Sequence, residues 1–97
     1  MSLAVTLRPA VEDEVVAAMA WYIERVPGLE ADFYRSFLAT LQQVAEHPQM
    51  FAEIDPPVRR ALLKGFPYAV FYVAEATSIV VLACVHERRS PDRWPQV

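Results

Sequence analysis

Two apolar segments in the second half of the chain constrain the fold more than any other feature. Tyr68–Val73 and Ile79–Val85 are apolar at both alternating sets of positions, and only a short turn separates them. A connection this short forces the two strands into an antiparallel hairpin. An antiparallel sheet with one wet face would alternate, so we expect both faces to be covered. The second cover would be the C-terminal tail, a second copy or a partner chain, unless Tyr68 and Tyr72 lie half-exposed there.

The hairpin belongs to the longer stretch Val58–Trp94, which predicts three consecutive strands and a short basic tail. The first strand is Val58–Lys64, and Gly65-Phe66-Pro67 forms the turn after it. The second strand is Tyr68–Glu75 and the third is Ile79–His86. Turns this short make all three strands antiparallel neighbours.

Two helices are predicted ahead of these strands. A first strand, Leu3–Leu7, ends before Pro9, whose missing N–H suits the first turn of a helix. Apolar residues then recur at three- and four-residue spacing on two segments, which indicates two helices with core-facing stripes. The first helix ends at Pro27-Gly28, the second runs from Leu29 to His47-Pro48, and Gln49–Pro57 is a loop. The first stripe comprises Val11, Val15, Met19, Tyr22 and Val26, widened by Val16, Ala20 and Ile23, with Trp21-Tyr22 predicted as core.

The element order β-α-α-β-β-β predicts one α+β domain spanning residues 1–97. Its helical hairpin packs on a small antiparallel sheet. A chain of 97 residues can bury a modest core without disulfide or metal staples. The single cysteine, Cys84, lies in an apolar strand and is expected to be a reduced, buried thiol.

The sequence predicts a cytoplasmic protein without a cofactor. No basic segment leading into an apolar one marks a signal peptide, and the longest apolar run, Ile79–Val85, is too short to span a bilayer. His47 and His86 lack metal-ligand spacing with Cys84 or an acidic pair, so no metal site is predicted. Glu12, Asp13 and Glu14 are interpreted as a solvated helix face.

Charge is divided unevenly along the chain. Residues 1–57 carry three basic and nine acidic residues, whereas residues 58–97 carry six basic and three acidic ones. Arg59, Arg60 and Lys64 share one strand, and His86 precedes Arg88 and Arg89 at the end of another. If the sheet brings these strands together, they form a cationic patch that suits phosphate contacts.

His86 is the candidate for proton transfer, because imidazole is the side chain suited to acid–base work near neutral pH. Strict alternation places it on one face with Val80, Leu82 and Cys84. The alternative is a structural histidine hydrogen-bonded at a strand end. Trp94, in the polar tail, either docks on the sheet or stacks on a ligand.

An ordered set of short motifs covers nearly the whole chain and resembles the RelE/ParE superfamily of toxins from bacterial type II toxin–antitoxin modules, including plasmid stabilisation system proteins. The motifs are Ala20-Trp21-Tyr22, Pro27-Gly28, Phe33 through Phe37, Glu46-His47-Pro48, Val58-Arg59-Arg60-Ala61-Leu62, Phe66-Pro67-Tyr68 and His86 through Trp94.

This resemblance implies a growth-inhibiting toxin that a cognate antitoxin neutralises by wrapping it with an extended or helical segment. It implies the helical hairpin on a small sheet, and a complex that represses its own promoter through the antitoxin's DNA-binding domain. The assembly would be a homodimer or a toxin–antitoxin hetero-oligomer. The doubly apolar hairpin would then present its spare surface to the antitoxin.

Two mechanisms occur in the family. RelE-like members cleave mRNA in the ribosomal A site, and the matching catalytic set here would be Arg60, His86 and Arg89. ParE-like members bind DNA gyrase, and binding would then use Arg59, Arg60, Lys64, Arg88, Arg89 and Trp94. No tyrosine follows Tyr72 and the chain is acidic overall, which favours the ParE-like mode without catalysis. A third alternative is a non-toxic homologue that serves as an antitoxin-binding module.

Overall fold

The computed structural model describes residues 2–88, which form two helices and five strands. The predicted α+β class is confirmed, and the predicted helices and strands agree with the observed ones to within two residues at each end. The segments are β1 Ala4–Leu7, α1 Pro9–Arg25, α2 Leu29–Glu46, β2 Glu53–Asp55, β3 Val58–Leu62, β4 Tyr68–Ala74 and β5 Ser78–His86. Neither helix is long and apolar enough to cross a bilayer.

The strands of the described chain form one mixed sheet in the order β1-β5-β4-β3-β2. β3, β4 and β5 are antiparallel neighbours, as predicted, but β1 pairs with β5 in parallel from Ala4 opposite Ser78 to Leu7 opposite Val81. The prediction of an entirely antiparallel sheet is therefore wrong at this edge. Two helices separate β1 from the other strands, so no short turn dictates its direction.

The predicted loop Gln49–Pro57 contains the short strand β2, which pairs antiparallel with β3 at the opposite edge. Its sequence, Glu-Ile-Asp, has poor strand propensity and is too short to show alternation. Pairing with β3, with Glu53 opposite Arg59, therefore decides its conformation. The strand is a product of tertiary contacts.

The helical hairpin covers one side of the sheet, here called the helix side. Val11, Val15, Ala18 and Tyr22 of α1 are buried in the same cluster as residues of β4 and β5. Four aromatic rings pack together where the turn between α1 and α2 meets the sheet. The ring centroids of the closest pairs are 5.1–5.5 Å apart. These rings belong to Tyr22, Phe33, Phe66 and Tyr68.

The other side of the sheet, here called the outer side, is also buried. Phe71 and Val58 are each 1% exposed. The C-terminal tail from residue 89 onward, one of the covers that the sequence offered, lies outside the described residues. Tyr68 and Tyr72 lie on the helix side, so the interpretation that placed them half-exposed on the far face is wrong. The outer-side cluster consists of Val58, Ala69, Phe71, Leu82, Ala83 and Val85, with Ile54, Val73 and Val80 packed against it.

The widened apolar stripe of α1 is only partly core. Val16 and Ile23 are exposed, and Trp21, predicted as core together with Tyr22, is 49% exposed. Val26 at the end of the helix is exposed as well. One helix can bury only the arc that faces the sheet and its neighbouring helix, so the stripe exceeds what this packing covers.

β5 contains a bulge that sequence alternation does not reveal. Phe71 pairs with Ala83, whereas the next residue, Tyr72, pairs with Val81. Leu82 is therefore an extra residue on β5. A bulge of this kind shifts the following residues by one position relative to the sheet faces.

The bulge changes which residues share a face with His86. Strict alternation placed it with Val80, Leu82 and Cys84, but Val80 and Leu82 lie on the outer side. Cys84 belongs to the helix-side cluster, and the ring of His86 packs against Tyr68 there, with centroids 5.3 Å apart. The imidazole thus faces α1.

We expect Phe33→Ala to lower the free energy of unfolding by about 3–5 kcal/mol, because Phe33 is fully buried at the centre of the aromatic cluster. The neighbouring Tyr34→Ala is the control, since Tyr34 is 43% exposed, and should cost less than about 1 kcal/mol. Urea denaturation followed by circular dichroism measures both. Equal losses in the two variants would contradict the central role of this cluster.

Candidate functional site

The predicted cationic patch is divided between the two sides of the sheet. Arg59 pairs with Tyr72 on the helix side, whereas Arg60 pairs with Phe71, whose side chain lies in the outer-side cluster. His86, on the helix side, is two strands away from Arg60 in the sheet. Within the described chain, the structure therefore does not bring Arg60 and His86 together.

The guanidinium of Arg59 makes contacts within the chain that stabilise the fold. Its Nη1 donates to the carbonyl oxygen of Phe51 at 2.6 Å, and its Nη2 donates to Oε1 of Gln49 at 2.7 Å. Glu53 Oε1 lies 3.7 Å from the same Nη2, and only 17% of the Arg59 side chain is exposed. This guanidinium fixes the segment between α2 and β3.

The remaining basic candidates lie apart from one another. Lys64 is exposed after β3, and its carbonyl oxygen accepts a hydrogen bond from the Ser36 hydroxyl at 2.8 Å. Arg88 is exposed after β5, and its backbone N–H donates to Nδ1 of His86 at 3.1 Å. Arg89 and Trp94 lie outside the described residues.

His86 lines a cleft of about 230 Å³ between α1 and the end of β5, here called the β5-end cleft. Three aromatic side chains line this cleft: Trp21 from α1, Tyr68 from β4 and His86 itself from β5. Small alanine side chains of α1 leave the space open, and one carboxylate, that of Glu14, lines it. The lining residues are Glu14, Ala17, Ala18, Trp21, Tyr68, Cys84, Val85 and His86.

Glu14 is the member of this cleft that sequence analysis missed. It was interpreted as part of a solvated face, yet its Oε1 accepts a hydrogen bond from the backbone N–H of Cys84 at 3.0 Å. The pairing of β1 with β5 ends at Val81. Beyond that point, the Glu14 carboxylate accepts a backbone N–H of β5 that β1 does not reach. The available signal was helical spacing, because Glu14, Ala18 and Trp21 fall at i, i+4 and i+7.

Cys84 is buried as predicted, and its surroundings suppress thiolate formation. Burial, with a smaller contribution from the nearby Glu14 carboxylate, raises the pKa of its thiol to about 12. Tyr72 behaves similarly: desolvation raises its pKa to about 12, and its hydroxyl donates to the carbonyl oxygen of Pro48 at 2.7 Å. Neither group suits nucleophilic chemistry at neutral pH.

The exposed apolar surface lies mainly on the helices instead of the sheet. Val16 is 64% exposed, and Tyr34 and Leu38 of α2 are each more than 40% exposed. A second cleft, of about 280 Å³, here called the hairpin groove, lies between the two helices near the end of β1. It is lined by Leu7, Glu12, Val15, Val16, Met19, Tyr34 and Phe37. The sequence predicted spare apolar surface on the sheet. In the described structure, most of the exposed apolar surface lies on the two helices.

No protein-family model and no curated protein sequence matches this chain. The fold does have a counterpart among solved structures, described as "Chromosomal ParDE TA system from P. aeruginosa". One of its chains superposes with a TM-score of 0.76 at 12% sequence identity. The match covers 88% of this chain and 96% of that chain. At this identity the likeness shows a shared fold.

We expect Arg59→Ala to lower the free energy of unfolding by about 1–3 kcal/mol, because it removes a largely buried guanidinium and leaves the Phe51 carbonyl without its donor. Lys64→Ala removes an exposed cation from the same part of the chain and should stay within about 0.5 kcal/mol of wild type. Urea denaturation of both proteins distinguishes the two roles. A negligible effect of Arg59→Ala would refute a structural role for this cation.

The raised thiol pKa of Cys84 predicts a loss of stability in alkaline solution. The unfolded chain releases the thiol proton near its ordinary pKa of 9, whereas the folded chain retains it until about pH 12. The unfolded state therefore binds fewer protons in this window, so the free energy of unfolding falls as pH rises through it. Between pH 8 and 10, Cys84→Ala should show a smaller decline than wild type. Parallel declines would show that the thiol does not contribute.

Proposed function

We propose that this chain is the toxin of a type II toxin–antitoxin module, that a cognate antitoxin neutralises it, and that it inhibits growth by binding DNA gyrase. The observation that carries the proposal is the fold likeness to a chain from a ParDE toxin–antitoxin system, with a TM-score of 0.76 over nearly all of both chains. The ordered motifs that resemble the RelE/ParE superfamily support it independently of the structure.

The placement of the basic residues supports a toxin that acts by binding. Cleavage of RNA by its 2′-hydroxyl needs a base, an acid and cations at one point in space. Arg60 and His86 lie on opposite sides of the sheet, and Arg59 is engaged with the segment before β2. Of the residues proposed for catalysis, the described ones therefore lack a common site.

The surface of the hairpin supports a protein partner. The exposed apolar side chains of Val16 and Tyr34 line the hairpin groove, and clusters of this kind are characteristic of interaction sites. An amphipathic helix of the antitoxin could lay its apolar side into such a groove. The net charge of −6 on residues 1–57 favours a basic partner.

The proposal is tested by inducing the chain alone and together with the adjacent open reading frame. We expect growth arrest and a DNA damage response in the first case and normal growth in the second. Purified protein should inhibit supercoiling by gyrase, and mRNA from arrested cells should remain uncut. Arg60→Ala and His86→Ala are included because a ribonuclease mechanism would depend on them.

Other outcomes overturn defined parts of the proposal. Cuts in ribosome-bound mRNA that disappear in Arg60→Ala or His86→Ala would replace gyrase binding with ribonuclease activity. Unimpaired supercoiling in the presence of purified protein would remove gyrase as the target. Normal growth on induction, together with tight binding of the neighbouring protein, would identify a non-toxic antitoxin-binding module.

A further inference from the structure

The far end of strand β3 is a surface that the proposed function leaves unused. β2 pairs with the first two residues of β3, and the N–H of Arg60 donates to the Ala52 carbonyl oxygen at 3.1 Å. β2 does not reach Leu62, the last residue of β3, which is 53% exposed. We propose that Leu62 to Lys64, here called the open β3 edge, binds an extended segment of a protein partner that carries an acidic residue.

The backbone groups of Leu62 point towards this edge. The N–H of Leu63 donates to the Tyr68 carbonyl oxygen at 2.9 Å, so the backbone of Leu63 faces β4. Alternate residues of an antiparallel pair turn their N–H and C=O groups to opposite edges. Leu62 therefore turns both groups away from β4, to the side on which Arg60 meets Ala52. Such groups on the edge of a sheet are the template to which an extended peptide adds as a further strand.

A cleft of about 300 Å³ lies between α2 and this edge and leaves room for an incoming chain. The Ser36 hydroxyl donates to the Lys64 carbonyl oxygen at 2.8 Å, and the Thr40 hydroxyl donates to the Ser36 carbonyl oxygen at 2.9 Å. With their protons engaged, these hydroxyls can only accept further hydrogen bonds. They suit the N–H of a peptide and not a phosphate, which only accepts. The lining residues are Arg35, Ser36, Ala39, Thr40, Gln43, Leu62 and Lys64.

The charge beside this edge favours an acidic residue in the incoming segment. Lys64 is exposed, and among the described residues its ammonium forms no ion pair. Arg35, the other cation of the cleft, pairs with Asp32 on α2, so Lys64 carries the preference. Residues two positions apart on a strand lie on one side of it, about 7 Å from each other. An acidic residue two positions from the one opposite Leu62 can therefore reach Lys64.

A second copy of this chain is a poorer occupant. Two β3 strands paired antiparallel about Leu62 would place Lys64 of one copy opposite Arg60 of the other. Like charges directly opposite each other destabilise a strand pair. A lysine can also protect an open edge without binding anything, because its charge discourages association between edges. Recognition differs from protection in one respect: it makes peptide binding depend on Lys64.

Amide hydrogen exchange of the full-length 15N-labelled protein tests whether the edge is open. We expect the Leu62 amide to exchange at least tenfold faster than that of Ala61, whose N–H is directed to Val70 of β4. Slow exchange of Leu62 in dilute solution would show that another part of the chain already pairs with it. Protection that increases with protein concentration would show that a second copy does. Either result would overturn the proposal.

The binding probe is acetyl-Thr-Val-Thr-Asp-Thr-amide, whose β-branched residues favour an extended chain and whose valine and aspartate are two positions apart. We expect it to shift the Leu62 amide resonance saturably and to slow its exchange about fivefold or more. The peptide N-methylated at valine lacks the N–H for the Leu62 carbonyl oxygen and should not bind. The asparagine analogue should bind about threefold more weakly, as expected for an exposed ion pair.

Three results of this titration would overturn the proposal. Equal binding of the three peptides would show that neither strand pairing nor charge is recognised. Failure of all three to bind would leave Lys64 as protection of the edge only. A thymidine pentanucleotide that shifts the Leu62 amide at lower concentration than the peptide would identify a nucleic acid as the ligand.

Matched variants locate the charge that matters. Lys64→Gln removes the cation beside the edge, so the aspartate and asparagine peptides should bind this variant equally. Arg8→Gln removes an exposed cation next to β1, at the opposite edge of the sheet, and should retain the threefold preference for aspartate. Thermal unfolding verifies that both variants are folded. An unchanged preference in Lys64→Gln, or an equal loss in both variants, would refute recognition by Lys64. None of these measurements depends on toxicity, so the proposed function can fail without them.

Discussion

The structure depends on one constraint: the β4–β5 pair is apolar on both sides and must be shielded from water on both. The hairpin of α1 and α2 covers one side, with Phe33 and Tyr22 packed against the rings of Phe66 and Tyr68. The residues of the outer-side cluster are buried as well. Burial on both sides leaves the sheet little apolar surface to offer a partner, so most of the exposed large apolar residues of the described chain lie on the helices.

The bulge at Leu82 determines where the chemically active side chains of β5 point. Without it, His86 would share a side with Val80 and Leu82, away from α1. With it, the imidazole and Cys84 face the helix, where Glu14 meets the backbone of β5. One extra residue in a strand thus accounts for His86 facing the β5-end cleft and not the outer side, where Arg60 lies. The geometry that supports binding over catalysis is a consequence of strand register.

Neighbouring cations in the sequence have different roles in the fold. Arg59 stabilises the segment before β2 through two hydrogen bonds and a nearby carboxylate, whereas Arg60 is turned to the outer side. Adjacent residues on a regular strand face opposite sides, so consecutive basic residues in the sequence do not form one patch.

The sequence by itself determined the α+β class, the bounds of both helices and the three antiparallel strands, because periodicity, Pro27-Gly28 and short turns are local signals. It also indicated the burial of Cys84. The tertiary structure alone decided the parallel pairing of β1, the existence of β2 and the bulge, since these depend on partners distant in sequence. The contact between Glu14 and Cys84 joins residues 70 positions apart. Only the packing of α1 on the end of β5 places a carboxylate that the sequence left on a solvated face against the backbone of a strand.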